Sequence, residues 1–525
     1  MPILPRNNAS PDFKATPAHE AIFKAISAGD NVLIDARAGS GKTSTLVEAC
    51  RRLPKKTGSL YLAFNKSVQM ELSRRLPKGV ETKTLNALGH RCWASHVRRS
   101  NRFAVLDLAK NKTARLCSGI LVGARAAELK PTLIKLVGLA KNYGIVPEGG
   151  PREGLMPDNE ESWRFLIERF GLQTFALEGL EDPTERLIQA ARQVLYLSMD
   201  EHLMIDFDDQ LWLPFVYDVP SEKYRRVFVD EAQDLSPLQH DLVARVLDPL
   251  GSVAVVGDKH QAIYGFRGAV SGSIDALGQR FGCESYPLHV TYRCPKAVVK
   301  AANAFVPDLE PLPDAPDGVV DDRLHYFPGV ASDLTMGEGG SVLVVCRTKA
   351  PIVRSAIRFF KDRRPFKILI PDLYASLVGL VGRLSSGTNA SRAELLEGVK
   401  AWVAEEKAEL EENPDDMRLD HVMDTYQVVT ALLSECEDFK GFKSLVWQLR
   451  ECGTQEGAVT LASIHKAKGL EADHVWLLEP HLIPHPRCTQ DWEREQENNS
   501  AYVAITRSKR TLRKATTEKK RLAPR

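Results

Sequence analysis

Short apolar runs recur along the chain and predict buried β-strands. Each run is five or six residues long, rich in Val, Leu or Ile, and bounded by Gly, Asp or Lys. Stretches with helical periodicity separate several of the runs. This alternation is typical of parallel sheets covered by helices on both faces, so we predict an α/β protein. The runs are residues 31–35, 59–64, 226–230, 252–256, 341–346 and 474–478, and the clearest helical stretch is 43–53.

The apolar runs fall into two groups, one before about residue 295 and one after about residue 340. This grouping predicts two α/β domains, and the mainly helical stretches between the runs predict one insertion in each domain. We expect the first domain to comprise 1–95 and 206–295 with an insertion at 96–205, and the second to comprise 296–366 and 456–525 with an insertion at 367–455.

Composition narrows the class of protein. Hydrophobic residues make up 43% of the 525 residues and charged residues 26%, as expected for a globular protein with a large core. No apolar run approaches the roughly 20 residues that cross a bilayer, and the N-terminus lacks the apolar segment of a secretory signal. The nine cysteines are scattered without a CxxC pair, which favours a reducing cytoplasm or nucleus over a zinc or disulfide framework. With a net charge of +2, any nucleic-acid surface must be a local groove.

Residues 36–43 read ARAGSGKT and predict a phosphate-binding loop between a strand and a helix. Gly39 and Gly41 let the backbone amides approach phosphate groups closely. Lys42 would neutralise the β- and γ-phosphates, and the hydroxyl of Thr43 would bind Mg²⁺. The loop therefore predicts a nucleoside triphosphate and Mg²⁺ as ligands.

Two further strand ends carry polar residues suited to the same chemistry. Asp230 and Glu231 follow one apolar run; the aspartate can hold Mg²⁺ and the glutamate can polarise an attacking water. Residues 256–269, VGDKHQAIYGFRGA, end another run. Their strand-end Asp and Gln suit phosphate chemistry, and their aromatics beside an Arg suit base stacking and neutralisation of a nucleic-acid backbone.

Taken in order, these motifs resemble those of the UvrD/Rep-type superfamily 1 DNA helicases, and in particular the compact phage-like and F-box-type members. The resemblance covers residues from about 16 to about 510 and implies two RecA-like P-loop domains, each with a mainly helical insertion. It also implies an ATP-dependent helicase or single-stranded DNA translocase that moves 3′ to 5′. The motifs are ARAGSGKT, VDEAQDLSPLQ, VGDKHQAIYGFRGA, LHVTYRC, VTLASIHKAKGLE and ENNSAYVAITRSK.

The resemblance assigns roles in the nucleotide site to individual residues. Gln261 would sense the γ-phosphate, and Arg293 and Arg507 would stabilise transition-state charge. Tyr292 would stack on the adenine and Glu471 would contact the ribose. The implied catalytic set is Lys42, Asp230, Glu231, Gln261, Arg293 and Arg507; the implied nucleotide-binding set is His19, Ala38, Gly39, Ser40, Gly41, Lys42, Thr43, Ser44, Tyr292 and Glu471.

A second set of residues matches the DNA-facing motifs of the family. Phe266 stands where the family usually has a base-stacking Trp, so the stacking face is smaller here. The implied DNA-binding set is Phe64, Asn65, Thr84, His90, Tyr264, Phe266, Arg267 and His465.

This sequence departs from the family pattern at several positions. His19 and Ser44 replace the usual adenine-reading Gln and an Arg, which puts strict preference for ATP in doubt. Phe64 is displaced by one position from its family counterpart. After Arg507 the family has an apolar strand, whereas this chain has a basic segment, KRTLRKATTEKKRLAPR, that we expect to be disordered or to bind DNA phosphates, or simply to aid solubility.

Two alternatives to a helicase share parts of this sequence pattern. A DNA-stimulated ATPase that remodels protein–DNA complexes without processive unwinding would need the same motifs. A binding module with an inactive ATPase is disfavoured, because the catalytic set is intact. The expected partners are single-stranded DNA, tailed duplex DNA and repair, replication or defence proteins, and the expected form is a monomeric motor without a membrane partner.

Overall fold

The computed structural model describes two compact units, each built on its own parallel sheet. One unit is Met1–Ala36 with Gly41–Leu288, and the other is Arg37–Ser40 with His289–Arg525. Each contains a sheet of six parallel strands, which confirms the predicted fold class. The described residues are 13–54, 58–120, 126–172, 183–265, 268, 272–330, 339–369, 371–385, 387, 390–412, 416–453, 459–485, 488 and 490–522.

The first unit orders its six-stranded sheet β3-β2-β6-β7-β1-β8, so strands distant in sequence lie side by side. Each apolar run predicted in this part of the chain forms one of these strands. The elements are α1 (Pro17–Ala28), β1 (Val32–Ala36), α2 (Lys42–Arg52), β2 (Ser59–Ala63), α3 (Lys66–Arg75), β3 (Val80–Thr84), α4 (Leu85–Ser100), β4 (Asp107–Leu108), α5 (Lys112–Ile120), α6 (Ala126–Asn142), α7 (Glu160–Arg169), α8 (Pro183–Asp200), β5 (Met204–Ile205), α9 (Asp209–Val216), β6 (Tyr224–Val229), α10 (Pro237–Val246), β7 (Leu247–Gly257), α11 (Ser273–Phe281) and β8 (Glu284–Leu288).

Alternate residues of the central strands enter two different cores. Leu33 of β1 and Val255 of β7 belong to the larger core, whereas their neighbours Ile34 and Val256 belong to the smaller one. Successive side chains of a strand point to opposite faces, so a run that is apolar throughout needs helices on both sides. The carboxyl ends of β1, β6 and β7 therefore meet at one edge, which positions the loops that follow them.

Helices α5 to α8 lie within residues 96–205 and contribute side chains to the larger core. Three fully buried tryptophans mark this core: Trp93, Trp163 and Trp212. Each of these three indole N–H groups donates to an oxygen, as when Trp212 donates to the Ile145 carbonyl at 2.8 Å, so their burial leaves none of the three unpaired. Within the described part of the chain, no helix is both long and apolar enough to cross a membrane.

The second unit orders its sheet β11-β16-β15-β12-β14-β13, with four helices, α15 to α18, between β13 and β14. Its core combines strands β12, β14 and β15 with helices α14 to α18. The elements are β9 (Val290–Thr291), α12 (Lys296–Ala302), β10 (Glu310–Pro311), β11 (Val319–Tyr326), α13 (Phe327–Val330), β12 (Val342–Cys346), α14 (Ala350–Lys361), β13 (Phe366–Ile368), α15 (Pro371–Leu384), α16 (Arg392–Glu412), α17 (Asp416–Leu433), α18 (Phe439–Cys452), β14 (Val459–Ser463), α19 (Ile464–Ala467), β15 (Ala472–Leu478), α20 (Asp491–Ile505) and β16 (Ser508–Thr516).

Residues 508–522 of the basic segment after Arg507 form a strand and a short turn, so the prediction of disorder was wrong for them, and DNA-phosphate binding stays a prediction. The strand is β16, which pairs with both β11 and β15 and buries Leu512 and Ala515. Its basic side chains meet acidic or aromatic groups of the adjoining strands, which makes a polar sequence compatible with a central strand position. These contacts are Lys509 to Glu471 at 2.5 Å, Arg510 to Asp473 at 3.3 Å, Lys514 to Asp322 at 2.7 Å, and Arg513 at 5.3 Å from the Trp476 ring centre.

Candidate nucleotide site

Two glycines shape the loop between β1 and α2. Gly41 has φ of +85° at the N-cap of α2, and a Cβ there would meet no described atom within 4 Å. Gly39 has φ of +74°, and a Cβ there would lie 2.4 Å from the Thr291 hydroxyl oxygen. Both positions therefore require glycine, one for its backbone angle and the other also for space. The loop presents open room at the start of α2, where a phosphate is favoured.

Thr43 and Asp230 form a pair of oxygens suited to a magnesium ion. The Thr43 hydroxyl donates to Asp230 Oδ2 at 2.8 Å, and the Tyr61 hydroxyl donates to the same oxygen at 2.9 Å. Burial, reinforced by neighbouring Glu231, raises the pKa of Asp230, and these two hydrogen bonds partly offset that rise. A carboxylate and a hydroxyl are hard ligands of the kind that Mg²⁺ prefers, so the residues present fit the predicted ion.

Ser40 provides a second indication that the loop fits a polar ligand. Its hydroxyl oxygen is buried and has no hydrogen-bond partner among the described residues. Buried hydroxyls are normally paired, because an unsatisfied one costs about 1–3 kcal/mol. A nucleotide phosphate or its magnesium water would supply the missing partner.

Glu231, the second residue after β6, has an unusual backbone conformation. Its φ of 52° and ψ of 41° lie in the left-handed region, which is uncommon for residues other than glycine. One carboxylate oxygen lies 3.5 Å from Lys42 Nζ, and the other accepts a hydrogen bond from Gln233 Nε2. The side chain keeps 26% of its surface exposed, so water can reach it. This geometry suits a general base beside a phosphate-binding lysine.

The described part of segment 256–269 carries a buried glutamine and, three residues later, a stacked tyrosine. Gln261 is buried, and its amide donates to Asp258 Oδ2 at 2.6 Å. Three residues later the ring of Tyr264 stacks on Phe64, with ring centres 5.7 Å apart and an angle of 21°. The structure thus brings together two residues predicted to contact DNA. Phe266 and Arg267, also predicted to contact DNA, lie outside the described residues.

Within the second unit, Glu471 binds two cations. Its carboxylate oxygens lie 2.6 Å from Arg293 Nε and 2.5 Å from Lys509 Nζ. Partial burial alone would raise the pKa of Glu471, but Lys509 and Arg293 outweigh it and lower that pKa. Glu471 therefore holds the side chain of a predicted catalytic arginine. Its predicted contact with a ribose stays a prediction.

Arg507 and Tyr292 differ sharply in exposure. Arg507 is 1% exposed, and its guanidinium donates to the carbonyls of Val503 at 2.8 Å and Leu470 at 3.1 Å. Tyr292 keeps 43% of its surface exposed, as a side chain that stacks on a base requires. Its backbone N–H donates to the Gly39 carbonyl at 2.9 Å, within the unit that contains both residues. The Ala38 N–H donates to the Tyr502 hydroxyl at 2.9 Å in the same unit.

Several predicted contact residues have local structural roles. His19 is buried in α1, where its Nδ1 lies 2.8 Å from the Thr16 hydroxyl in a capping box, and burial lowers its pKa. Asn65 and Thr84 are the N-caps of α3 and α4. The Ser44 hydroxyl accepts from Arg75 at 3.2 Å. A capping side chain still presents its outer surface, so these roles leave the predicted ligand contacts untested.

The last two predicted DNA-facing residues lie on helices. His465 is half-buried in α19. His90 belongs to α4, where it lines a depression of about 570 Å³ together with Arg91, Ser95, Arg98 and Arg99. A basic depression of this kind suits a nucleic-acid phosphate.

Sequence reasoning missed two residues at the nucleotide site, Tyr61 and Gln233, and an exposed aromatic, Phe207, whose backbone contacts Asn86 two residues after the predicted DNA-facing Thr84. Tyr61 lies within an apolar run, and only its hydroxyl distinguishes it from a core aromatic. Gln233 stands inside a motif that was recognised for its acids. Phe207 is 65% exposed, unusual for a phenylalanine, and its carbonyl accepts a hydrogen bond from Asn86 at 2.8 Å. An exposed aromatic is a signal that sequence pattern does not carry.

In the first unit, Gly41, Lys42 and Thr43 at the start of α2 and the acids at the end of β6 define a P-loop nucleotide-binding protein. Comparison with protein families then shows to which family of P-loop proteins the chain belongs. The UvrD/REP helicase N-terminal domain matches residues 17–282, and the UvrD-like helicase C-terminal domain matches residues 388–519. The chain belongs to the UvrD/REP helicase family.

Individual relatives agree with the family assignment. The chain is 25% identical to F-box DNA helicase protein 1 of Schizosaccharomyces pombe over 93% of this chain and 56% of the relative. It is 25% identical to DNA helicase II of Escherichia coli over 53% of this chain and 38% of the relative. DNA helicase IV of Escherichia coli is 25% identical over 56% of this chain and 47% of the relative. The chain thus spans only about half of these relatives' length, or less.

Proposed function

We propose that the protein is an ATP-dependent DNA helicase that translocates along single-stranded DNA from 3′ to 5′. The observation that carries the proposal is the group formed by Lys42, Thr43, Asp230 and Glu231 in the first unit. At one edge of the sheet it supplies a cation that can bind phosphate, two oxygens that can bind magnesium, and a candidate general base. Membership of the UvrD/REP helicase family and the printed names of the relatives support DNA as the second ligand.

In the proposed reaction, the side chains of the first unit prepare the γ-phosphate for attack by water. Bound Mg²⁺ would neutralise phosphate charge and would be held by Thr43 and Asp230. Lys42 would bind the terminal phosphates, and Glu231 would accept a proton from water. Arg293 and Arg507 keep the transition-state role that the family pattern implies.

The DNA surface of the proposal includes the stacked rings of Phe64 and Tyr264 and the basic depression on α4. Stacking on aromatic rings tolerates any base, and cationic side chains neutralise phosphates. Both are what a translocase needs, because it must hold each successive nucleotide without reading its sequence. Gln261 and Tyr264 lie three residues apart, so a movement at the phosphate end has a short covalent path to the aromatic pair.

Further proposals concern the setting of the enzyme. The RecA-like domains and insertions are proposed to divide at residues 95/96, 205/206, 295/296, 366/367 and 455/456. The proposed partners are single-stranded and tailed duplex DNA together with repair, replication or defence proteins. The protein is proposed to act as a monomer in the cytoplasm, or in the nucleus of a eukaryotic cell.

A strand-displacement assay on 3′-tailed and 5′-tailed duplexes, with and without ATP and Mg²⁺, tests the proposal. We expect displacement only from the 3′-tailed duplex and only with ATP. Displacement from the 5′-tailed duplex alone would reverse the polarity. ATP hydrolysis that DNA stimulates without displacement would favour the remodelling ATPase. Absence of hydrolysis by the folded protein would rule out both motors, and Glu231→Gln serves as the matched inactive control.

A further inference from the structure

Gln233 links the candidate base to the end of a neighbouring strand. Its side chain is 1% exposed and lies in the short turn that follows Glu231. Its Nε2 donates to Glu231 Oε2, and its Oε1 accepts from the backbone N–H of Asp258 at 3.0 Å. Both ends of one buried amide are therefore used between the residues that follow β6 and β7.

The link continues from Asp258 to Gln261. Asp258 is fully buried, and its Oδ1 accepts from the His260 N–H at 3.1 Å while its Oδ2 accepts from Gln261 Nε2 at 2.6 Å. A continuous series of hydrogen bonds therefore connects Glu231, Gln233, Asp258 and Gln261. The Gln233 amide is held from both sides, by Glu231 and by the Asp258 backbone, so it cannot turn without losing one of these hydrogen bonds.

The approach of Gln233 to β7 is close enough to restrict the sequence there. A Cβ at Gly257 would lie 2.5 Å from Gln233 Oε1 and 3.2 Å from its backbone nitrogen. Gly257 thus leaves the space in which the Gln233 amide lies. The amide therefore occupies a space between the ends of β6 and β7 that a side chain at position 257 would block, and from there it contacts Glu231.

We propose that Gln233 is a positioning residue that aligns the Glu231 carboxylate with the strand end carrying Gln261. Glu231 starts from a left-handed backbone and keeps a partly exposed side chain, so its backbone alone does not fix its carboxylate. Lys42 attracts one oxygen and Gln233 holds the other. The base and the γ-phosphate sensor are then oriented as one unit. This inference rests on the proposed ATP hydrolysis and concerns the same site.

The primary test is Gln233→Met, which keeps the length of the side chain and removes both hydrogen bonds. We expect kcat for DNA-stimulated ATP hydrolysis to fall between roughly 10-fold and 100-fold, because a misplaced catalytic group costs up to about that factor. The KM for ATP and the affinity for single-stranded DNA should stay within about twofold, since Gln233 touches neither ligand in the proposed site. A variant with the parent kcat would show that Gln233 only fills space.

Gln233→Glu is a second variant that keeps the volume and the acceptor for the Asp258 N–H. It places a second carboxylate against Glu231, near Lys42, Asp230 and Asp258. Like charges disfavour ionisation, so we expect the acid limb of its pH–rate profile to move to higher pH. A profile that superimposes on the parent's would overturn the proposal even if Gln233→Met fails to fold.

The parent protein and Glu231→Gln, measured in parallel, separate this inference from the proposed function. A folded parent that does not hydrolyse ATP would refute the function itself. A parent that hydrolyses ATP, alongside an inactive Glu231→Gln and a fully active Gln233→Met, would refute only the positioning role. Thermal unfolding of each variant confirms that kcat is compared between folded proteins.

Discussion

Each of the two units has a glutamate with a left-handed backbone at the end of a central strand, and the two glutamates have different surroundings. Glu231 follows β6 and Glu479 follows β15, and both are left-handed, with φ of 52° and 48°. In each unit a short 3-10 turn follows the glutamate directly. Each turn thus projects a carboxylate from the carboxyl end of a central strand. Only the surroundings of the two carboxylates differ.

Glu479 is saturated by its neighbours, whereas Glu231 is not confined in this way. The Glu479 carboxylate accepts from the Thr516 hydroxyl at 2.8 Å and from the Thr517 N–H and hydroxyl at 2.7 and 2.8 Å. Its side chain is 5% exposed, against 26% for Glu231. Glu479 therefore fastens the end of β16 to β15. A carboxylate becomes a candidate base when water can reach it and its contacts orient it without enclosing it.

The largest predicted effect separates these two glutamates by activity. Glu231→Gln should lower kcat for ATP hydrolysis by at least about 100-fold, because a general base contributes roughly 10²–10⁴-fold. Binding of single-stranded DNA should remain close to that of the parent. Steady-state ATPase and fluorescence anisotropy measure the two quantities. Persistent turnover in this variant would refute the assignment of the base, and Lys42→Ala should likewise abolish hydrolysis.

A third carboxylate, Asp208, shows what burial does when pairing is incomplete. Burial, followed by repulsion from Asp206, raises its pKa to about 6, and only Asn142 donates to it among the described residues, at 3.2 Å. Because its pKa is higher in the folded than in the unfolded protein, protonation of Asp208 stabilises the folded state. The associated stability is therefore complete below the ordinary value near 3.8 and is lost as the pH rises through about 6.

Asp208→Asn should remove this pH dependence. The shift of about two pH units corresponds to about 3 kcal/mol, so the variant should be more stable than the parent at pH 7.5 by up to that amount. Urea unfolding at pH 5 and pH 7.5 measures the difference, and the gain should shrink at the lower pH. Equal gains at both pH values would mean that the ionisation of Asp208 does not affect folding.

Glu479→Gln should affect stability without affecting chemistry. The amide can no longer accept all the hydrogen bonds from the two threonines, and a buried donor left unpaired costs about 1–3 kcal/mol. We expect a lower midpoint of thermal unfolding with kcat within about twofold of the parent. A loss of ATPase activity at unchanged thermal stability would show that the second glutamate also acts in catalysis.

The smallest predicted effect concerns the aromatic pair of the first unit. Phe64→Ala should weaken binding of single-stranded DNA by about 1 kcal/mol, the lower end for a stacking residue, which is roughly fivefold in affinity. Phe64→Tyr is the matched control, because it keeps the ring. Fluorescence anisotropy, with unlabelled single-stranded DNA competing against a labelled strand, gives the ratio of the affinities of each variant and the parent. If the alanine and tyrosine variants bind equally well, the pair only packs.

Much of the first unit could be predicted from local sequence. The strands β1, β2, β6 and β7 each contain an apolar run, and Gly39 and Gly41 mark the loop that follows β1 because few other residues adopt their backbone angles. Strands β3 and β8 escaped prediction, since VETKT and ESYPL carry no apolar run. They lie at the edges of the sheet, where one side of a strand can remain polar.

The sequence by itself determined the two parallel sheets, the phosphate loop and the identity of the acids at the strand ends. Those features depend on short patterns, since apolar runs set strands and glycines set a tight loop. Tertiary structure alone decided the hydrogen bonds of Gln233, the enclosure of Glu479 and the pairing of the basic strand β16. Each depends on partners far away in the chain, such as Asp258, Thr517 and Asp473, and a single sequence does not state which distant residues will meet.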